Sequence, residues 1–155
     1  MMLEVGELAP DARFETADGA QATLSDYRGK PLVFYFYPKD DTAGCTREAQ
    51  DFTALAGEFA KAGAAVVGIS KDTPKKHKAF VAKYDLKVEL VSDTDGSACE
   101  AFGVWVEKSL YGRKYMGIER ATFLIDAGGR IVRVWRKVKV PGHADEVLAA
   151  VRSLA

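Results

Sequence analysis

A chain of 155 residues has the length of one ordinary domain and can bury a substantial core. Lysine plus arginine and aspartate plus glutamate number 22 each, so net charge offers no general attraction to nucleic acid or to an acidic surface. No apolar run approaches bilayer length, and the acidic start MMLEVGELAP lacks the basic head and apolar middle of a secretory leader.

These features predict a cytosolic protein with no membrane segment. Two cysteines, Cys45 and Cys99, are too few for a disulfide scaffold, and a reducing compartment keeps them as free thiols. No linker, low-complexity tract or repeat divides the sequence, so one domain over 1–155 is expected.

In chain order, Asp18-Gly19 marks a turn that, with Leu24 beyond it, predicts a small hairpin at one edge. Leu32–Tyr37 (LVFYFY) is a continuous apolar, β-rich run, the pattern of a central strand buried on both faces. From Cys45 the period changes. Cys45, Ala49, Phe52, Leu55 and Phe59 recur at spacings of three and four, which predicts one amphipathic helix closed by Gly63. Ala65–Ser70 reads as the next buried strand. Pro74 then opens a helix whose apolar side carries Phe80, Val81 and Tyr84, with His77 read as part of a solvated basic start, KDTPKKHK.

Glu89–Val91 is a short strand candidate, followed by a brief helix over Ser97–Phe102. Ala121–Asp126 and Arg130–Arg136, separated by Ala127-Gly128-Gly129, carry a hairpin signal, and His143–Leu154 closes the chain as a helix. This order implies an α/β fold with a mixed central sheet flanked by helices.

Cys45 falls in the first turn of a helix that directly follows a central strand. Helix N-termini present unpaired N–H groups and partial positive charge, and both favour a thiolate. Thr42, one turn earlier, can cap the helix or donate to a bound oxygen. Cys45 also lies on the apolar stripe of its helix, so inert packing is an equal reading of the spacing alone. His77 and His143 have no metal-ligand neighbour and no orienting third group. No zinc spacing, phosphate loop or dinucleotide fingerprint occurs, so neither metal nor cofactor is expected.

Pro38, Thr42 and Cys45 in PKDDTAGC match the P-x-x-x-[T/S]-x-x-C signature of the peroxiredoxins. GELAPDARF, LVFYFYPKD, VVGISKD, LVSD, GIERATFLID and KVKVPGHADEVL extend the similarity, in order, over nearly the whole chain. Together they resemble the bacterioferritin comigratory protein (peroxiredoxin Q) subfamily. The resemblance implies a thioredoxin-like fold with an N-terminal hairpin extension. It also implies a thiol-dependent peroxidase acting on hydrogen peroxide and organic hydroperoxides.

The resemblance makes Cys45 the peroxide-attacking residue, Thr42 its hydroxyl partner, Pro38 the shield of the pocket and Arg120 the distant active-site cation. The N–H of Gly44 or Cys45 would bind peroxide oxygens, Glu48 would orient Arg120, and Phe36 and Tyr37 would limit water.

The chain departs from the family pattern at three positions. Ala43 stands where proline is common, and Gln50 and Val81 stand where resolving cysteines occur. Cys99 is the one remaining internal candidate, in apolar surroundings that favour packing. A one-cysteine mechanism is therefore expected, with thioredoxin, glutaredoxin or a low-molecular-weight thiol as reductant and a monomer as the working unit. The competing reading is a thioredoxin-fold disulfide-transfer or client-binding protein. Disulfide transfer is disfavoured by Glu48, which stands where the second cysteine of a C-x-x-C would be, and client binding has no sequence feature behind it.

Overall fold

The computed structural model describes residues 3–154. Strands β1 (Arg13–Glu15) and β2 (Gln21–Thr23) form the expected N-terminal hairpin, with Gly19 at positive φ in its turn. They are followed by β3 (Leu32–Phe36), α1 (Ala43–Ala54), α2 (Ala56–Lys61), β4 (Ala65–Ser70), α3 (Pro74–Tyr84), β5 (Glu89–Ser92) and α4 (Ser97–Ala101). The chain continues through β6 (Trp105–Leu110), β7 (Arg113–Ile118), β8 (Ala121–Ile125), β9 (Ile131–Trp135) and α5 (His143–Arg152).

Seven strands form one sheet in the order β2-β1-β5-β4-β3-β8-β9. β3 pairs in parallel with β4 and antiparallel with β8, and the β8–β9 hairpin falls where its turn residues place it. This is the mixed α/β architecture that the sequence implies.

The central strand divides two cores by simple alternation. Phe34 and Phe36 face the side that holds Phe14, Cys99, Phe102 and Phe123. Val33, Tyr35 and Tyr37 face the other, beneath the helices, with Cys45, Phe52, Phe59, Phe80 and Leu148. The two cysteines therefore lie on opposite faces of the sheet.

Two elements differ from expectation. The single helix predicted up to Gly63 is broken at Leu55, whose φ of −100° and ψ of 6° are not helical and whose N–H donates to the Phe52 carbonyl at 3.2 Å. This tighter turn redirects the second segment so that Phe59 packs on Phe52, ring centroids 5.8 Å apart. The second difference is the β6–β7 hairpin, a separate two-stranded sheet whose strands the sequence reading missed. Its turn residues Tyr111 and Gly112 have φ of 52° and 78°, the double positive of a type I′ turn.

Candidate active site

β3 delivers the chain to the site. After Phe36 it passes through Tyr37–Asp41 and enters α1, where Thr42 is the N-cap residue with extended backbone. Cys45 is consequently the third helical residue. The first helical bond runs from the Thr46 N–H to the Thr42 carbonyl at 2.8 Å, so the amides of Ala43, Gly44 and Cys45 precede the ladder. Thr42 does not cap them with its side chain: its hydroxyl donates to the Lys39 carbonyl at 2.8 Å. The first turn thus keeps its donors and its partial positive charge for an entering group.

Arg120 reaches this point through the sheet register. It sits in the two-residue link between β7 and β8, and Ala121 pairs with Phe36, the last residue of β3. The arginine therefore emerges at the end of the sheet where α1 begins. Its Nη2 donates to Cys45 Sγ at 3.3 Å and its Nη1 to Glu48 Oε1 at 2.6 Å. One rigid fork bridges two residues of α1. Cys45 is 2 % exposed, and Glu48 and most of Arg120 are buried with it.

Burial pushes the Glu48 carboxyl up to about 7, against the attraction of Arg120 that pulls it down. For Arg120 burial acts in the opposite sense, opposing its charge, but the charges of Glu48 and Cys45 prevail and hold it cationic. Gly44 permits the close approach of the guanidinium, since a Cβ there would lie 3.1 Å from Nη2.

The remaining residues expected at the site divide. Pro38 is half-buried and lines a groove with Trp105 and with Ile118, the end of the strand that leads into Arg120. Phe36 does not join it, because β-strand alternation sends its ring to the far face against Phe102 and Phe123. Tyr37 faces the helices, but its hydroxyl is committed to Asp40 Oδ1 at 2.6 Å. Gln50 is exposed and Val81 half-buried at the rim of the helical core.

Cys99 lies across the sheet from Cys45, fully buried. Burial and the Asp93 carboxylate push its thiol well above the ordinary cysteine range. Its place gives the expectation of a resolving role no support, since the sheet separates the two sulfurs.

Sequence reading missed a buried polar cluster next to the site. His77, read as solvated, is 0 % exposed. Its Nδ1 is 2.6 Å from Asp40 Oδ2 and its Nε2 is 2.8 Å from the Val91 carbonyl oxygen. The signal was present: His77 lies on the same helical stripe as Phe80, Val81 and Tyr84. Farther along α3, Lys83 Nζ and the Tyr84 hydroxyl hold Asp41 at 2.7 and 2.6 Å, fixing a residue with a φ of 58°. The loop between β3 and α1 is thus tied to α3 at two points. His143 is also buried. Its ring is paired with the Thr122 hydroxyl at 2.8 Å, and burial lowers it to about 4, so it is neutral near pH 7. Neither histidine bonds to Cys45 among the described residues.

Comparison with known proteins agrees with this geometry. The AhpC/TSA family profile matches residues 5–134. The chain is 49% identical over 154 residues to peroxiredoxin Bcp of Xanthomonas campestris, covering 99% of this chain and 96% of that protein. It is 45% identical over 155 residues to peroxiredoxin Bcp of Bacillus subtilis, covering 100% and 99%.

Among solved structures, a peroxiredoxin Q variant from Xylella fastidiosa superposes with a TM-score of 0.92 at 41% identity, covering 99% of this chain and 98% of that one. The Xanthomonas campestris bacterioferritin comigratory protein, studied for its alkyl peroxide reduction activity, superposes with a TM-score of 0.89 at 48% identity, covering 97% and 99%. The fold is that of the thioredoxin-like peroxiredoxins, and the chain belongs to the AhpC/TSA family as a peroxiredoxin of the Bcp, or peroxiredoxin Q, group.

Proposed function

We propose that the protein is a one-cysteine thiol peroxidase that reduces hydrogen peroxide and organic hydroperoxides at Cys45, working as a single-domain cytoplasmic monomer. The observation that carries the site assignment is the 3.3 Å contact from Arg120 Nη2 to Cys45 Sγ, with the same guanidinium anchored on buried Glu48.

A peroxide has a weak O–O bond, and its cleavage needs a thiolate nucleophile and stabilisation of the departing oxygen. The Cys45 sulfur attacks the terminal oxygen. An S–O bond forms as the O–O bond breaks, and the released alkoxide or hydroxide takes a proton to leave as alcohol or water. Cys45 is left as sulfenic acid. Arg120 and the free amides of Gly44 and Cys45 stabilise the charge as it moves from sulfur to oxygen. Thr42 joins them after one hydroxyl rotation away from the Lys39 carbonyl. Pro38 and the rings on the helical side of β3, Tyr35 and Tyr37, keep bulk water off the sulfur.

With Gln50 and Val81 at the usual positions of a second thiol, and Cys99 across the sheet, an external thiol completes the cycle: thioredoxin, glutaredoxin or a small molecule. The test is peroxide consumption by Cys45→Ser and Cys99→Ser. The first is expected to lose it and the second to retain most of it, and parent-like activity in Cys45→Ser removes the assignment. Intact mass after one equivalent of peroxide tests the one-cysteine route. Gain of one oxygen is expected, whereas loss of two hydrogens would mean a Cys45–Cys99 disulfide.

A further inference from the structure

Beside the site runs an open groove of about 390 Å³ between the Pro38 loop and the β6–β7 hairpin. Pro38, Trp105, Met116 and Ile118 make its floor and walls apolar. Its rim is cationic, with Lys39, Lys71 and Lys108 all opening onto it.

Among the described residues none of these lysines has a carboxylate partner, although ten other Lys and Arg residues do. Lys71 instead lies over the Trp105 ring at 4.3 Å. Lys108 is half-buried, and burial and the nearby charge of Arg120 push its ammonium down, while the charge of Cys45 draws it up. The lysine also stands on the hairpin whose second strand, β7, leads into Arg120.

One carboxylate, Asp72, also lines the groove. Its Oδ2 accepts from the Asp40 N–H and the Ser70 hydroxyl. Three cations against one anion leave the groove at net +2.

We propose that this groove is the binding site of the reductant, and that the reductant is a low-molecular-weight peptide thiol with two carboxylates and one α-ammonium. The inference rests on the peroxidase reading above and names the electron donor that it leaves open. The two carboxylates meet unpaired lysines, the ammonium meets Asp72, and the peptide body covers the apolar floor. Lys108 orients the carboxylate nearest the sulfenic acid.

The chemistry balances with two equivalents of thiol. The first thiol attacks the Cys45 sulfur, its S–S bond forms as the S–O bond breaks, and the hydroxyl leaves as water with the thiol's proton. The second attacks the mixed disulfide, freeing Cys45 as thiol and releasing the oxidised dimer of the reductant. A folded protein thiol needs no such groove, whereas a small one gains local concentration and aim from it.

The test uses Cys45 first oxidised with one equivalent of hydrogen peroxide. Its reduction is then followed with glutathione, neutral mercaptoethanol and cationic cysteamine, each rate expressed per thiolate. Glutathione is expected to be faster than mercaptoethanol by roughly tenfold at low salt, with cysteamine slowest and the gap closing as salt rises. Lys108→Glu is expected to abolish most of that preference, and Lys108→Gln about half, through KM for glutathione. Equal rates for the three thiols, or a preference that survives Lys108→Glu, overturn the proposal. So does a stable dimer that buries Trp105, because a second copy would then own the groove. Failure of the parent to form sulfenic acid at all is a different result, one that removes the peroxidase reading.

Discussion

The two cysteines of this chain occupy nearly the same local position and opposite chemical ones. Each is the third residue of a helix that follows a sheet strand, Cys45 in α1 and Cys99 in α4, and each is buried. What differs is the charge each one meets, a cation from a distant segment for Cys45 and an anion six residues upstream for Cys99. Cys45 meets the Arg120 guanidinium, 75 residues away in sequence. Cys99 meets Asp93, whose carboxylate accepts from the Ala98 and Cys99 amides at 3.0 and 2.8 Å. The same acid that ties down the α4 start makes a second negative charge on the sulfur costly. A helix N-terminus alone therefore does not make a reactive thiol. The partner across the sheet end decides.

The largest expected effect comes from removing the partner that favours Cys45. Arg120→Ala should lower the second-order rate constant with hydrogen peroxide by about 100- to 1000-fold, the scale of losing a preorganised charge donor. Arg120→Lys should fall between, because an ammonium cannot hold Glu48 and Cys45 in one rigid fork. Stopped-flow kinetics on both variants decides it. A less than tenfold loss in Arg120→Ala would mean that the helix end suffices after all.

Glu48 sharpens the comparison through pH. Its carboxyl is raised in the folded protein from an ordinary 4.5 to about 7. The folded state thus holds the proton more tightly than the unfolded chain does. Its stabilising contribution is full below about pH 4.5 and is lost as pH rises through about 7, on the order of 3 kcal/mol in all. Denaturant midpoints across this window should fall with pH more steeply for the parent than for Glu48→Gln. Parallel curves would show that Arg120 keeps Glu48 ionised throughout.

Asp93→Asn attacks the other half of the comparison. Weakening the two amide bonds at the start of α4 should cost about 1–3 kcal/mol, read from the same midpoints. In a Cys45→Ser background it should nevertheless leave Cys99 inert to peroxide, since burial, the largest influence holding its thiol up, remains and the pull of Lys71 in the other direction is weaker. Peroxide consumption by that double variant would show that the carboxylate was the whole difference.

Ala43→Pro is the smallest expected change. Thr42 already has φ −96° and ψ 157°, the extended backbone required before proline, and Ala43 is the first helical residue. Thermal unfolding should shift upward by about 0.5–1 kcal/mol in stability. A loss instead would mean that the Ala43 amide is in use.

Much of the fold was legible because local patterns carry it. The LVFYFY run, the 3- and 4-residue spacing after Cys45 and the Gly128-Gly129 turn each report a period that the backbone obeys. The β6–β7 strands were not legible, because the hairpin stands off the main sheet and its exposed positions do not alternate cleanly. Only Tyr111-Gly112 marks it, and a type I′ turn at tyrosine is a weak signal. The break at Leu55 has no sequence mark, since Leu continues the apolar stripe.

At the site, Cys45, Thr42 and Pro38 share one short segment and were readable together. Arg120 came only through family resemblance, because strand register rather than spacing brings it to the sulfur. The burial of His77 was hidden among lysines that point outward from the same turn of helix. The two-sided placement of the cysteines likewise depends on which residues of β3 face which way, a fact that no single helix pattern contains.

The ties between α3 and the loop before α1 have a mechanical meaning. His77 grips Asp40 before position 81, and Lys83 and Tyr84 grip Asp41 beyond it. An enzyme that drew a second thiol from this helix would have to release those bolts in each cycle. With valine at 81, nothing asks the helix to move, and the machine can keep this wall of its reaction chamber stationary from one turnover to the next.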